Sequence, residues 1–266
     1  MFGSSLQTRR DVDDSLTLTN RVKAGNVRSV ARLITLLERH DPDGIAMLRL
    51  LASDSHRAAV IGITGYPGAG KSTVTTQLVA VYRRLGMRVG VLAVDTSSPV
   101  TGGALLGDRI RMQEHTLDRD VYIRSMATRG HHGGLAQATS DAALVLEAAG
   151  YEVILIETIG VGQNELDVVD VARTVVAVLA PGLGDEVQAM KAGLLEVAHI
   201  VVINKGDLAG ADATLRDMRE WCPIVLRTIA TTGEGIPELV AAIAEHQRMH
   251  DVQGVPVPLR REQAGP

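Results

Sequence analysis

Aromatic residues are scarce in this chain: one Phe, one Trp and four Tyr among 266 residues. A core large enough for that length must rest on Val, Ile, Leu and Ala, which suits a parallel sheet covered by helices on both faces. Cysteine is scarcer still. Cys222 stands alone, which excludes an intrachain disulfide framework and a Cys-rich metal site; beside Trp221 it reads as a small hydrophobe. No apolar run has the length of a membrane span, and the longest, such as Thr174–Ala180 and Ile200–Ile203, are strand-sized. The N-terminus carries Arg9, Arg10 and several acids but no apolar stretch of signal-peptide type. Charge of one sign is lacking too. The 27 basic and 31 acidic residues are interleaved and leave a net charge of −4, which points to neither nucleic acid nor an anionic membrane as partner. A soluble cytoplasmic protein is the expectation.

Against these absences stands one dense motif. Gly65-Tyr66-Pro67-Gly68-Ala69-Gly70-Lys71-Ser72 fits the phosphate-binding pattern G-x-x-x-x-G-K-S/T without a mismatch. Ala59–Thr64 before it reads as a buried strand, and Thr73–Leu85 after it as a helix, which is the context the motif requires. Backbone N–H groups of such a turn, at a helix N-terminus, attract phosphate oxygens. Lys71 is placed to reach the β- and γ-phosphates, and the Ser72 hydroxyl to bind Mg²⁺. A chance Gly-rich turn would not bring both correct flanks.

The rest of the chain alternates. Residues 15–57 read as helical, with Val27, Val30, Ile34 and Leu37 on one face, Asp41-Pro42-Asp43-Gly44 ending that helix, and a second short helix carrying Ile45, Leu48 and Leu51. Strands are expected at Val89–Val94, ending in Asp95, at Val121–Arg124, at Glu152–Ile156, ending in Glu157, and at Thr174–Leu179, His199–Ile203 and Ile224–Ile229. Helices are expected near Gly103–His115, Leu135–Ala149, Val187–Glu196, Ala211–Arg219 and Ile236–Arg248. The alternation predicts an α/β fold with a doubly wound, mostly parallel sheet, whose ligands sit at the carboxyl ends of strands. Gly65, Asp95, Glu157, Pro181 and Asn204 fall at such ends. The expected organisation is an N-terminal helical extension over 1–57, a nucleotide domain over 58–250 and a flexible tail over 251–266.

Asn204-Lys205-Gly206-Asp207 follows a Val/Ile-rich strand and matches N-K-x-D. A carboxylate at Asp207 can accept hydrogen bonds from guanine N1–H and the 2-amino group, and adenine would leave it unpaired. Asn204 would orient the loop and contact the base, and the Lys205 stem would cover the base plane. Alone, N-K-x-D also fits a helix-capping turn; its order after a phosphate loop favours guanine. Ile229-Ala230-Thr231-Thr232-Gly233-Glu234-Gly235 stands where a backbone N–H, from Ala230 or Thr231, would meet guanine O6. On the metal side, Ile154-Leu155-Ile156-Glu157-Thr158-Ile159-Gly160 gives E-x-x-G where D-x-x-G is usual. Ser72, Asp95, Asp108 and Glu157 are candidate Mg²⁺-side groups. Mg²⁺ takes one or two carboxylates, so the three acids do not all ligate at once. Helix capping is the structural alternative for Asp95 and Asp108.

The chain resembles the MeaB/ArgK/MMAA family of SIMIBI-type P-loop GTPases. The resemblance is carried by Gly65–Thr73, by Ala93–Pro99, by Thr101–Met112, by Arg124–Gly130, by Glu157–Glu165, by Ala180–Gln188 and by the Asn204–Asp207 loop. Arg28–Glu38 resembles the family's N-terminal helix. Such proteins are chaperones of adenosylcobalamin-dependent acyl-CoA mutases. The resemblance implies GTP/GDP and Mg²⁺ as cofactors and such a mutase as partner. It implies a first switch over about 95–112 with Asp108 on the Mg²⁺ side, and a second over about 157–165 with Glu157 and Gln163 near the attacking water. It also implies a signalling loop over about 180–191 containing Gln188 and Lys191. Lys71, Asp108, Glu157 and Gln163 are then the catalytic set. Thr73 closes the phosphate-binding stretch. Thr96 stands where many relatives have Pro. Relatives continue into a C-terminal dimerisation arm, whereas this chain stops at Pro266; a homodimer formed elsewhere, a monomer, and assembly on the mutase are all compatible with that.

Three other readings exist. A metallochaperone GTPase would carry Cys or His clusters, where this chain has Cys222 and the pair His131-His132. A small-molecule kinase would need an acceptor pocket that no segment supplies. A scaffold without turnover fits poorly with Lys71, Ser72 and Glu157 together.

Overall fold

The computed structural model describes residues 16–52, 58–95, 115, 117–127, 134–159, 171–182 and 193–252. Helix α1 covers residues 16–23. Helices α2 (Val27–Glu38) and α3 (Pro42–Ala52) follow, then strand β1 (Ala59–Thr64), α4 (Lys71–Arg84), β2 (Val89–Asp95) and β3 (Val121–Ala127). Next come α5 (Gly134–Ala148), β4 (Val153–Ile159), β5 (Thr174–Leu179), α6 (Leu194–Val197), β6 (Ile200–Ile203), α7 (Ala211–Met218), β7 (Val225–Arg227) and α8 (Ile236–Val252).

The seven strands form one parallel sheet in the order β3-β2-β4-β1-β5-β6-β7. Three of its inner strands are almost wholly apolar: every residue of β5 and of β6 is buried, as are five of the six in β1, and the polar residues among them are Thr174 and Thr64 at strand ends. Such runs, without polar alternation, are what helices on both faces permit. The expected α/β fold is the one observed. Among the described residues no helix is long and apolar enough to cross a membrane.

The chain divides into two compact units. The first comprises Met1–Ala59 and Tyr82–Leu155. Within it α2 starts at Asn26, whose side chain accepts the Ser29 N–H at 3.0 Å, a standard N-cap. Val30, Leu33, Ile34 and Leu37 are buried along one helical stripe, whereas Val27, expected in that stripe, is exposed at the first turn. The Asp41–Gly44 segment does not end α2. That helix stops at Glu38 and His40 turns left-handed at φ 53°. Asp41 then caps the next helix, its carboxylate accepting the Asp43 N–H at 2.9 Å, with Pro42 in the first helical position, where its missing N–H costs nothing. Both helices pack on α5. Strand β3 runs to Ala127, three residues beyond the expected end at Arg124, in register with all of β2. Arg124 ties it to α2: its guanidinium meets Glu38 Oε2 at 2.7 Å and donates to Thr35 Oγ1 at 3.0 Å.

The second unit comprises Val60–Val81 and Ile156–Pro266. Its core gathers Leu179, Leu195, Val201, Ile203, Met218 and Cys222, with Tyr66 packed against them. Cys222 is buried, as expected of a small hydrophobe. Each fully buried aliphatic side chain here contributes about 1.5–3 kcal/mol of transfer free energy. Strand β7 is shorter than expected; Thr228 after it still bonds to Ile203 and Gly206, and beyond Thr228 the chain builds a loop described below. Of the helix expected over Val187–Glu196, the described part is α6; the helix expected over Gly103–His115 lies, but for His115, outside the described residues.

Candidate functional site

The site lies within the second unit and starts where β1 stops. Gly65 has φ 132°, and a Cβ there would stand 2.1 Å from the Val178 carbonyl oxygen on β5, so the turn leaves the strand only with glycine. Tyr66 anchors the loop on the core. Pro67 and Gly68 are exposed and Ala69 is buried. Helix α4 begins at Lys71, directly after Gly70. The first N–H groups of a helix have no partner within it and carry its positive dipole end. Thr75 and Thr76 bond backward to the Lys71 and Ser72 carbonyls at 3.0 and 2.8 Å, which settles the first turn without using those N–H groups. Thr73 is exposed beside it.

Lys71 is buried and donates to the carbonyl oxygens of Gly65 and, at 3.1 Å, Tyr66. The lysine thus folds over its own loop. Ser72 Oγ donates to Glu157 Oε1 at 2.5 Å. Glu157 lies inside β4, two residues before its end, with 1 % of its surface exposed. The structure therefore brings together a hydroxyl and a carboxylate 85 residues apart. Two hard oxygen donors at hydrogen-bond distance are the kind of pair that suits Mg²⁺.

The second loop is joined to the first through one side chain. Asn204, 3 % exposed, follows β6, and its N–H donates to Leu179 O at 2.8 Å. Its Nδ2 donates to Ala69 O at 2.9 Å; its Oδ1 accepts from Thr228 Oγ1 at 3.2 Å and from the Ala230 N–H at 3.0 Å. These partners fix the amide orientation, since the flipped form would oppose donor to donor. Gly70 completes the junction: its φ is 96°, and a Cβ there would stand 2.3 Å from Asn204 Nδ2. Asn204 is expected to orient the loop and to contact the base. Oδ1 accepts two hydrogen bonds and one Nδ2 N–H donates within the protein, so the side chain ties the two loops together. The Ala230 N–H, an expected donor to a purine oxygen, is likewise directed at Asn204.

Lys205 is held at φ 56°, a conformation few non-glycine residues adopt. Lys205 and Asp207 are exposed, and among the described residues neither enters an ion pair. Gly206 N donates to Thr228 O at 2.9 Å, so the Asn204–Asp207 loop continues the β6–β7 ladder. Thr231 is exposed in the facing turn, which is closed by the Ile229–Glu234 bridge.

Sequence reasoning had missed Thr228. The available signal was a threonine at the strand end just before the Ile229–Gly235 segment. Asp95 ends β2 in register with Ala127, and its side chain is outside what is described. Asp108, Gln163, Arg109, Arg111, Arg129, His131, His132, Gln188 and Lys191 lie outside the described residues.

Known proteins resemble this chain in sequence and in fold. Residues 30–265 match the family described as methylmalonyl-CoA mutase-associated GTPase MeaB. A protein of Pyrococcus abyssi named as a GTPase is 51 % identical over 250 residues, covering 89 % of this chain and 77 % of its own. The GTPase ArgK of Escherichia coli is 36 % identical over 262 residues, covering 92 % of this chain and 79 % of its own. A crystal structure described as an LAO/AO transport system kinase superposes with a TM-score of 0.69 at 28 % identity, over 90 % of this chain and 77 % of that one.

Proposed function

We propose a function from the premise that this chain belongs to the MeaB family of methylmalonyl-CoA mutase-associated GTPases: it is a GTP-driven switch that acts on a cobalamin-dependent acyl-CoA mutase. The chain is a GTPase that binds guanine nucleotide. In the proposed site the backbone from Gly65 through Thr73 wraps the phosphates, and Lys71 exchanges its carbonyl partners for β- and γ-phosphate oxygens. Water attacks the γ-phosphorus and the bond to the bridging oxygen breaks, giving GDP and phosphate. Asp108 and Gln163 are proposed to act beside Glu157 at that step. Ser72 and Glu157 would hold Mg²⁺, Asp108 would move in and out, and Asp95 is a further candidate; the ion would supply charge neutralisation on the phosphates. Asp207 reads the purine edge, the Lys205 stem covers its plane, and the turn at Ala230 and Thr231 closes the pocket.

The single observation that carries this reading is the Asn204 junction. One buried amide joins the phosphate loop at Ala69 to the base loop at Thr228 and Ala230. Two loops that must grip opposite ends of one nucleotide are thereby held at a fixed separation, as preorganised binding requires.

The client is proposed from the family's printed association with methylmalonyl-CoA mutase. Loading or protection of the mutase's cobalamin is the proposed task, and the three switch regions would report the γ-phosphate to it. The deciding experiment is GTP turnover with and without purified acyl-CoA mutases, together with capture of a mutase on this protein in GDP and in a non-hydrolysable GTP analogue. Acceleration and nucleotide-dependent capture are expected; neither with any acyl-CoA mutase tested sinks the chaperone reading. For the base, Asp207→Asn is expected to move preference from GDP to xanthosine diphosphate, measured by calorimetry. The kinase description of the 28 %-identical structure favours one second reading, phosphoryl transfer to a small acceptor. Labelled γ-phosphate found on an amino acid instead of in free phosphate would establish it.

A further inference from the structure

We infer that Arg227 is the positioning residue of the guanine-reading loop, an inference that rests on the assignment of Asp207 above. Arg227 is the last residue of β7 and stands in register with Ile203, the last of β6. The two strands separate there but their backbones stay bonded: Thr228 N donates to Ile203 O at 2.9 Å and Gly206 N to Thr228 O at 2.9 Å. The Arg227 side chain crosses this extended ladder. A Cβ on Gly206 would stand 2.4 Å from Arg227 Cγ and 2.8 Å from its Cδ. The arginine stem therefore lies on the Gly206 Cα, in the volume any other side chain at that position would occupy. Gly206 does not have a positive φ. Glycine is needed at the third position of this N-K-x-D loop for room, not for backbone freedom.

The far end of the side chain sets its direction. The guanidinium lies 3.6 Å from Asp212 Oδ1, in the first turn of α7, and 3.6 Å from Glu234 Oε1, in the turn that carries Thr231. Arg227 is half-exposed and its two partners more so, so each pair is weak by itself. Their effect is to hold the apolar stem across the loop while the charge stays in water. The loop needs such a support. Lys205, on one side of Gly206, is held in an unfavourable conformation. Asp207, on the other side, has no described partner of its own. Its carboxylate must meet two donors of one purine edge at once, and hydrogen bonds weaken steeply when misaligned. Arg227 keeps Asp207 in place by pressing on the residue before it.

The test measures dissociation constants of the full chain for GDP and for inosine diphosphate, which lacks the 2-amino group. The ratio of the two reports the alignment of Asp207 and not the general firmness of the fold. Arg227→Ala is expected to raise the Kd for GDP about fivefold and to bring the ratio toward one. Arg227→Lys, which keeps the stem and a charge, is expected to restore the wild-type ratio. Gly206→Ala should weaken GDP binding in the wild type, and that loss should largely vanish in the Arg227→Ala background, a non-additive pair. An unchanged ratio in Arg227→Ala, with both constants rising together, overturns the inference, as does an equal effect of Gly206→Ala in both backgrounds. Should Gly206→Ala fail to fold in thermal melts, the two Arg227 variants decide alone. A wild type that does not distinguish the two nucleotides overturns the guanine reading itself; a discriminating wild type beside an equally discriminating Arg227→Ala overturns only the role of Arg227.

Discussion

A helix–strand contact of the first unit and the loop junction of the second are held by different polar chemistry. In the first, guanidinium groups find side-chain partners: Arg83 meets Asp118 and Asp120, Arg124 meets Glu38, and Arg88 lies over the neutral Tyr151 ring at 4.5 Å. In the second, the buried junction between the two nucleotide loops is neutral, built from the Asn204 amide, the Thr228 hydroxyl and the backbone at Ala69, Ala230 and Gly206. The contrast has a functional meaning. A guanidinium already bonded to a carboxylate has little left to offer a ligand. A loop fixed by neutral dipoles can keep charges such as Asp207 for the ligand. Removing Lys71 from the second unit should therefore alter binding, and removing Arg124 from the first should alter folding.

The largest effect that would sharpen this contrast is at Lys71. Lys71→Ala removes the charged side chain proposed to bond phosphate oxygens. The expected loss of GTP affinity is about a hundredfold, or about 3 kcal/mol, by calorimetry. A change below about threefold would break the comparison, since the loop would then bind through its backbone alone. Next is the neutral strut. Asn204→Ala orphans the buried Ala69 carbonyl, the Thr228 hydroxyl and the Ala230 N–H together. Urea unfolding is expected to show a loss of about 2–4 kcal/mol, with weaker binding of GDP as the loops separate. Weaker binding with full stability would mean that Asn204 acts on the base and not as a strut.

In the first unit Arg124→Ala should do the reverse. The pair with Glu38 is mostly buried, with side-chain exposures of 18 % and 11 %, and removing the arginine leaves a carboxylate between α2 and β3. A stability loss of about 2–3 kcal/mol is expected, with the Kd for GDP unchanged within about twofold. Replacing both partners, Arg124→Leu with Glu38→Leu, should recover part of the loss, because no uncompensated charge remains. A large change in GDP affinity in either variant would make the division of labour between the units untenable.

How much of this was legible beforehand follows the distance over which each feature is encoded. The phosphate loop is local: eight consecutive residues specify its glycines, its lysine and its hydroxyl. The strands were legible because buried parallel strands are mostly apolar runs, even though β4 carries the buried Glu157. Helix ends were less so: Asp41-Pro42 carries a break signal and a start signal at once, and only the packing of α3 decides for the start. The Asn204 junction was partly legible, since the loop was identified but not its three partners, which lie 135, 24 and 26 residues away. Arg227 was not legible at all. Nothing near it marks its stem as the roof over Gly206, a contact made only when β6 and β7 pair.

The smallest effect tests the first unit from the side of pH. The Arg83 guanidinium, and after it the Asp120 N–H, hold the Asp118 carboxyl below its usual range. A carboxylate whose native pKa is depressed stabilises the fold above its unfolded pKa, near about 3.9, and that contribution disappears as pH falls through the lower native value. The stabilisation is thus complete at neutral pH and lost only in acid. A third of the Asp118 side chain is exposed, so solvent screening keeps the contribution under about 1 kcal/mol. Asp118→Asn should lower the urea midpoint slightly at pH 7, and the gap to wild type should close as pH is taken below about 4. GTP binding at pH 7 should not change. A gap that persists undiminished in acid would show that Asp118 acts through its shape and hydrogen bonds and not its charge, and the first unit would then resemble the second.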